Sequence, residues 1–354
     1  MKAVCSQNQN TGIGDTFIRN EHYFFVEVLK KLLDVLLSSL MDASLHSQIT
    51  ILDGGLATEL ERNGLSLQGD PLWSARVLHE NPDAIVEVHK SYLQNGAQVL
   101  TTSSYQASFT GFKKHLGLSH EESRKLLKLS IDLAKRARKE YNEETNAGDK
   151  NILVAGSIGS YGAALADGSE YNGSYAEDLS HGDFINWHRP RIECLVEAGA
   201  DLLAFETIPA LNEAEALMKI LNDMPHVKAW LSFSCQSMHK TSHGDEISAA
   251  ALNCMKIARS DQLVAVGVNC CQPEFAESLL KDISSVSHGY PLVVYPNSGE
   301  LWDTTVGWTG TKGQPNHTYL ESWIKSGANY IGGCCRTTPE DILEISKYVG
   351  QANK

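Results

Sequence analysis

NYIGGCC (Asn329 to Cys335) is an apolar run that stops at two glycines and two adjacent cysteines, and VAVGVNC (Val264 to Cys270) is a second that stops at a cysteine. Both read as buried strands carrying a reactive residue at the C-terminal end. Six more runs share the pattern: ITILDGG (Ile49 to Gly55), QVLTTSS (Gln98 to Ser104), ILVAGSIG (Ile152 to Gly159), DLLAFET (Asp201 to Thr207), KAWLSFSC (Lys228 to Cys235) and PLVVYPNSG (Pro291 to Gly299). Between the runs lie amphipathic stretches such as PDAIVEVHKSYLQNG and RIECLVEAGA, several closing on Gly as helix C-termini do. Eight buried strands alternating with helices predict an α/β fold, a (βα)8 TIM barrel forming a single domain over 45–350. An open doubly wound sheet shares this alternation, so the polar residues must decide. Asp53, Ser103, Glu206, Cys235, Cys270, Asn297, Cys334 and Cys335 all stand at strand C-termini, where barrels place their chemistry. Closure also sets the sixth strand beside the seventh and eighth, which carries Cys270 to Cys334 and Cys335.

Three converging thiols predict one zinc ion per chain. Zinc takes sulfur ligands tetrahedrally at about 2.3 Å, and three protein ligands with one open position is the catalytic pattern, four the structural one. Neighbouring residues of a regular strand point to opposite faces, so Cys334 and Cys335 share a metal only where the backbone bends, which Gly332 and Gly333 permit. Cys271, directly after Cys270, is expected to turn toward the adjoining helix. Cys5, Cys194, Cys235 and Cys254 read as small apolar residues. A thiolate-rich site suits alkyl transfer to sulfur, whereas His- or carboxylate-rich zinc sites activate water.

The 354 residues are 42% hydrophobic, enough for one large core, and carry a formal net charge of −13. That charge argues against nucleic acid and anionic membrane as partners, since both need clustered Lys and Arg. Small cationic or zwitterionic ligands fit better. Eight cysteines, four of them in two adjacent pairs, do not make a secreted disulfide framework in a chain this long, so a cytoplasmic location is expected. Residues 1–44 form a separate N-terminal extension. Its VEVLKKLLDVLLSSLM segment (Val26 to Met41) has helical spacing but is short and charged for a membrane span, and it lacks the Arg-rich, acid-poor character of a presequence. It is either an alternative-start segment ahead of Met41 or an appended amphipathic helix.

DGGLATELERNG (Asp53 to Gly64), SIGSYGAALADGSEYNGSY (Ser157 to Tyr175), FETIP, GVNC, YPNSGE and GGCCRTTP together resemble the zinc-dependent homocysteine S-methyltransferases, above all the single-domain enzymes that use S-methylmethionine or S-adenosylmethionine. The resemblance runs over nearly everything after residue 48. It implies methyl transfer from a sulfonium donor to homocysteine, forming methionine, with Cys270, Cys334 and Cys335 holding zinc. It also implies that Asp53 and Glu206 meet the homocysteine ammonium and that Gly54 and Gly55 offer amides to its carboxylate. Taken without the resemblance, Asp53 reads equally as a helix N-cap and Glu206 as half of a rim ion pair. Two other readings stay open: methylation of a selenol or thiol such as selenocysteine by the same chemistry, and a catalytically silent barrel whose three thiolates hold a structural or stored zinc, which a fourth sulfur from Cys271 or Cys235 would favour.

The Gly-rich segment 157–181 reads as a lid that brings Tyr161, Tyr171 and Tyr175 over a sulfonium, whose charge aromatic faces attract by roughly 0.5–2 kcal/mol. Tyr295, Trp302 and Trp308 read either as donor-pocket aromatics or as packing over the rim. HKTSH (His239 to His243) lacks the glutamate of a zinc-protease motif and reads as a solvated loop.

Overall fold

The predicted strands hold in the computed structural model, which describes residues 49–145, 151–303 and 307–352. They are β1 (Thr50–Ile51), β2 (Val99–Thr101), β3 (Leu153–Gly159), β4 (Leu202–Ile208), β5 (Ala229–Phe233), β6 (Leu263–Asn269), β7 (Leu292–Tyr295) and β10 (Ala328–Ile331). Their order is β1-β10-β7-β6-β5-β4-β3-β2, every pair parallel. Helices follow the strands on the outside, as parallel crossovers require. The proposed N-terminal extension lies outside the described residues.

The ends of that order, β1 and β2, close the ring through few contacts. Leu52 and Val99 form a single parallel bridge, and the Gln98 amide donates to the Ile51 carbonyl at 2.8 Å. The Asp53 carboxylate completes the seam, accepting from the Thr101 amide at 2.7 Å and its hydroxyl at 2.9 Å. The helix after it begins at Leu56 and is capped by Gly55 with no side-chain bond, so Asp53 joins strands rather than capping a helix.

Inside the barrel, Ala155, Ala204 and Ala265 leave room for the fully buried Trp230. Its indole Nε1 donates to the Tyr295 hydroxyl at 2.9 Å, and Ser232 Oγ lies 2.6 Å from the same oxygen. Tyr295 is therefore part of the barrel floor, where a buried phenol finds its partners, rather than a rim aromatic. A short antiparallel hairpin, β8 (Leu301–Asp303) with β9 (Gly307–Thr309), follows β7 and was not foreseen from the sequence. The side chain of Trp302 lies outside the described residues.

Candidate active site

Three thiols meet where β6 and β10 end. Asn269 closes β6, and Cys270 turns out of it with φ 51°, a left-handed conformation rare for a side-chain-bearing residue and typical of places that store strain for function. Asn269 Oδ1 accepts the Thr207 amide at 2.8 Å, and its Nδ2 donates to Thr207 Oγ1 at 2.8 Å and approaches Cys334 Sγ at 3.9 Å. One amide side chain thus ties the ends of β4 and β6 to the cysteine turn. Cys334 and Cys335 lie beyond β10, so strand alternation does not constrain them.

Neither Gly332 nor Gly333 has positive φ, so freedom to bend is not why they are glycines. A Cβ on Gly332 would stand 2.7 Å from the Asp53 carbonyl oxygen, and one on Gly333 would overlap the Thr337 side chain. Gly332 lets the turn pass close to Leu52 and Asp53 after β1, and Gly333 makes room for Thr337. Gly333→Ala is expected to cost about 1–3 kcal/mol, as overpacked sites do, and to loosen metal retention. Urea unfolding with metal analysis checks this; full stability and full metal content would show that Thr337 yields freely.

The Sγ atoms of Cys270, Cys334 and Cys335 all lie within 4.8 Å of one another, and those of Cys270 and Cys335 are 3.7 Å apart. Tetrahedral bonds of 2.3 Å set sulfurs about 3.8 Å apart, so the trio fits a single metal ion with little contraction. Hydrogen bonds from Cys334 and Cys335 hold the Cys270 thiol well below the usual range, and both of those neighbours are pushed up. Cys271 is not in the cluster; burial pushes its thiol up to about 12. Cys235, also outside the cluster, is likewise pushed up by burial. Both stay protonated thiols, and the trio keeps an open side.

Three buried carboxyls share the cavity with these thiols. Burial pushes Asp53 up to about 8, and both Glu206 and Glu170 to about 7. Glu206 accepts from Ser157 Oγ rather than forming a rim ion pair. Glu170, which the sequence reading did not single out, has its Oε2 buried without a partner among the described residues. No cation figures in any of the three environments. The amide of Gly55 is engaged by the Thr337 carbonyl at 3.1 Å and hydroxyl at 3.3 Å.

Glu170 and Tyr171 arrive on the segment after β3. Fully buried Glu213, on the helix Leu211–Asn222, anchors that segment by accepting from the Tyr161 amide at 2.6 Å and the Tyr175 hydroxyl at 2.6 Å, with His188 Nε2 at 2.8 Å. Of the three tyrosines expected over the site, only Tyr171 reaches it, its hydroxyl 3.4 Å from Cys270 Sγ. Tyr161 and Tyr175 pack instead with Phe184 on the outer side. The resulting cavity, about 980 Å³, is also lined by Trp73, Tyr105 and Trp308. Trp73 is held at φ 46°, and its ring meets Tyr105 edge-on at 6.2 Å.

The family model described as homocysteine S-methyltransferase matches residues 50–349. This chain belongs to that family. Similar curated proteins include the homocysteine S-methyltransferase of Escherichia coli, 45% identical over 84% of this chain and 94% of the relative. The betaine-homocysteine S-methyltransferase of Drosophila melanogaster is 40% identical (85% and 94%), and the selenocysteine Se-methyltransferase of Brassica oleracea 42% (84% and 88%). Among solved structures, the metallated form of the Escherichia coli homocysteine methyltransferase MmuM superposes with a TM-score of 0.76 at 42% identity, covering 85% of this chain and 96% of that one. Members of the family thus share the whole described barrel, and the cysteine trio lies within the matched region.

Proposed function

We propose that this protein transfers a methyl group from a sulfonium donor, S-methylmethionine or S-adenosylmethionine, to the sulfur of homocysteine, forming methionine, with zinc at Cys270, Cys334 and Cys335. The observation that carries the reading is one cavity at the C-terminal end of the barrel that holds both a three-thiol cluster with an open side and three buried carboxyls without a cation. Soft thiolate donors favour zinc over the harder common divalent ions. Zinc held there would supply the Lewis acidity that removes the proton from an incoming thiol, which otherwise ionises only near pH 8.5.

The chain's own residues do the rest. Asp53 and Glu206 pair with the homocysteine ammonium, Glu170 adds a third negative group, and the Gly54 amide faces the carboxylate. Anionic walls favour the cationic donor, and the faces of Trp73, Tyr105 and Trp308 attract its sulfonium. Holding both substrates in line converts an encounter in solution into a reaction within one complex. Cys270 and Cys335 are buried and Cys334 is half-buried, so the thiols meet a ligand from the cavity side alone.

A fourth sulfur would favour the silent-barrel reading, and neither Cys235 nor Cys271 joins the cluster. A selenol acceptor keeps some support from the Brassica relative's name. A cytoplasmic setting fits the free thiols, none of the seven described cysteines being paired, and no helix among the described residues is long and apolar enough to cross a membrane. The deciding experiment is methionine formation by the zinc-loaded protein from homocysteine with each donor, with selenocysteine in competition. Methionine with either donor supports the reading; bound zinc without product from any pair overturns it.

A further inference from the structure

Seven acidic residues and a single basic one, Arg336, are found among the described residues that line the cavity. Arg336 directly follows the cysteine pair. Its backbone is left-handed, φ 64°, and its amide is held by Thr58 Oγ1 at 2.9 Å. Nε and Nη2 donate to Glu300 at 3.2–3.3 Å, leaving Nη1 outside the pair, and Glu300 also accepts from Ser298 Oγ at 2.6 Å. The Arg336 side chain keeps 40% exposure and that of Glu300 13%. Such a part-exposed pair contributes little to stability, whereas a left-handed non-glycine backbone costs free energy. The arrangement therefore calls for another use.

Both substrates of the proposed reaction bring a carboxylate into this acidic cavity. The acceptor's charges are met at the Asp53 end, where the Gly55 amide is already engaged. What remains is a guanidinium beside a carboxylate, the charge complement of an α-amino-acid head group, with the planar fork that suits carboxylate recognition. Resting on the functional reading above, we infer that Arg336 and Glu300 bind the carboxylate and ammonium of the methyl donor, and so select sulfonium donors that are amino acids over those that lack this head group. The internal ion pair opens to exchange each partner for one end of the ligand.

The test compares wild type, Arg336→Met, Arg336→Lys and Glu300→Gln as zinc-loaded full-length proteins. The donors are S-methylmethionine and S-adenosylmethionine, which carry the head group, and trimethylsulfonium, which does not. Arg336→Met is expected to lose roughly 10- to 100-fold of the kcat/KM preference for S-methylmethionine over trimethylsulfonium, the range for one charge-assisted hydrogen bond to a ligand. The loss should fall in the donor KM, and Arg336→Lys should recover part of it. Equilibrium dialysis of S-methylmethionine should give the same shift in Kd. Because the preference is a ratio within one variant, partial misfolding cancels. An unchanged ratio and Kd, or a loss that falls on the homocysteine KM instead, overturns the inference while the methyl-transfer reading stands. Absence of turnover with every sulfonium in the wild type overturns that reading and takes this inference with it.

Discussion

Alanine at Cys270, Cys334 or Cys335 is expected to release the metal and cut methionine formation by roughly a thousandfold or more, since even the supports of metal ligands cost 10- to 100-fold when removed. Cys271→Ala is expected to keep both. The contrast is sharp because Cys271 neighbours Cys270 in the chain yet stands outside the cluster and holds its proton to about 12. Metal content and turnover of the four variants, measured together, check the assignment. Metal retained by any of the first three, or lost from Cys271→Ala, would mean a different ligand set.

The second large effect is expected at the ammonium end. Asp53→Asn and Glu206→Gln should each raise the homocysteine KM by about 30-fold or more at pH 8.5, the equivalent of at least 2 kcal/mol for one side of a buried charge pair. In the wild type that KM should fall as pH rises from 6 to 8. Asp53 and Glu206, pushed up to about 8 and about 7, must lose their protons before they can pair with an ammonium. The slope should approach tenfold per unit where one proton is released on binding, and Asp53→Asn should remove the upper part of the profile. Linkage separates this from misfolding. An acid whose folded pKa lies above its unfolded value stabilises the fold fully below the unfolded value and loses that contribution as pH rises through the folded one. The cost of Asp53 to folding therefore builds up between about pH 4 and 8 and stays in full above that. Asparagine escapes that penalty and can still bond Thr101, so the variant should unfold at no lower urea concentration than wild type at pH 8. A flat homocysteine KM from pH 6 to 8 would remove Asp53 and Glu206 from ammonium binding.

The barrel was legible because parallel strands covered on both sides have no polar alternation to blur them, and β3, β4 and β6 stand almost where their apolar runs do. The β8–β9 hairpin was not, since three-residue strands of mixed polarity leave no periodic signal. The cysteine trio could be read because motif and strand end coincide. Glu170 could not, because a single acid in a Gly-rich loop looks solvated until Glu213 and Ser234 draw its segment inward. For Tyr295 the sequence left pocket and rim equally open; the structure places it at the cavity wall on the barrel floor, and its partner, Trp230, lies two strands away, beyond any local pattern.

Taken alone, the sequence determined the eight-strand order of the chain, the rim on which chemistry sits, and the thiols able to gather there, all of which follow from periodicity and from residue type at strand ends. Only the tertiary structure decided that Asp53 clasps the barrel seam, that Gly332 and Gly333 serve close approach rather than bending, and that Arg336 alone offers positive charge to the described cavity wall. These are properties of distances between segments far apart in the chain, and burial, which sets the carboxyl and thiol protonation, exists only once those segments have met.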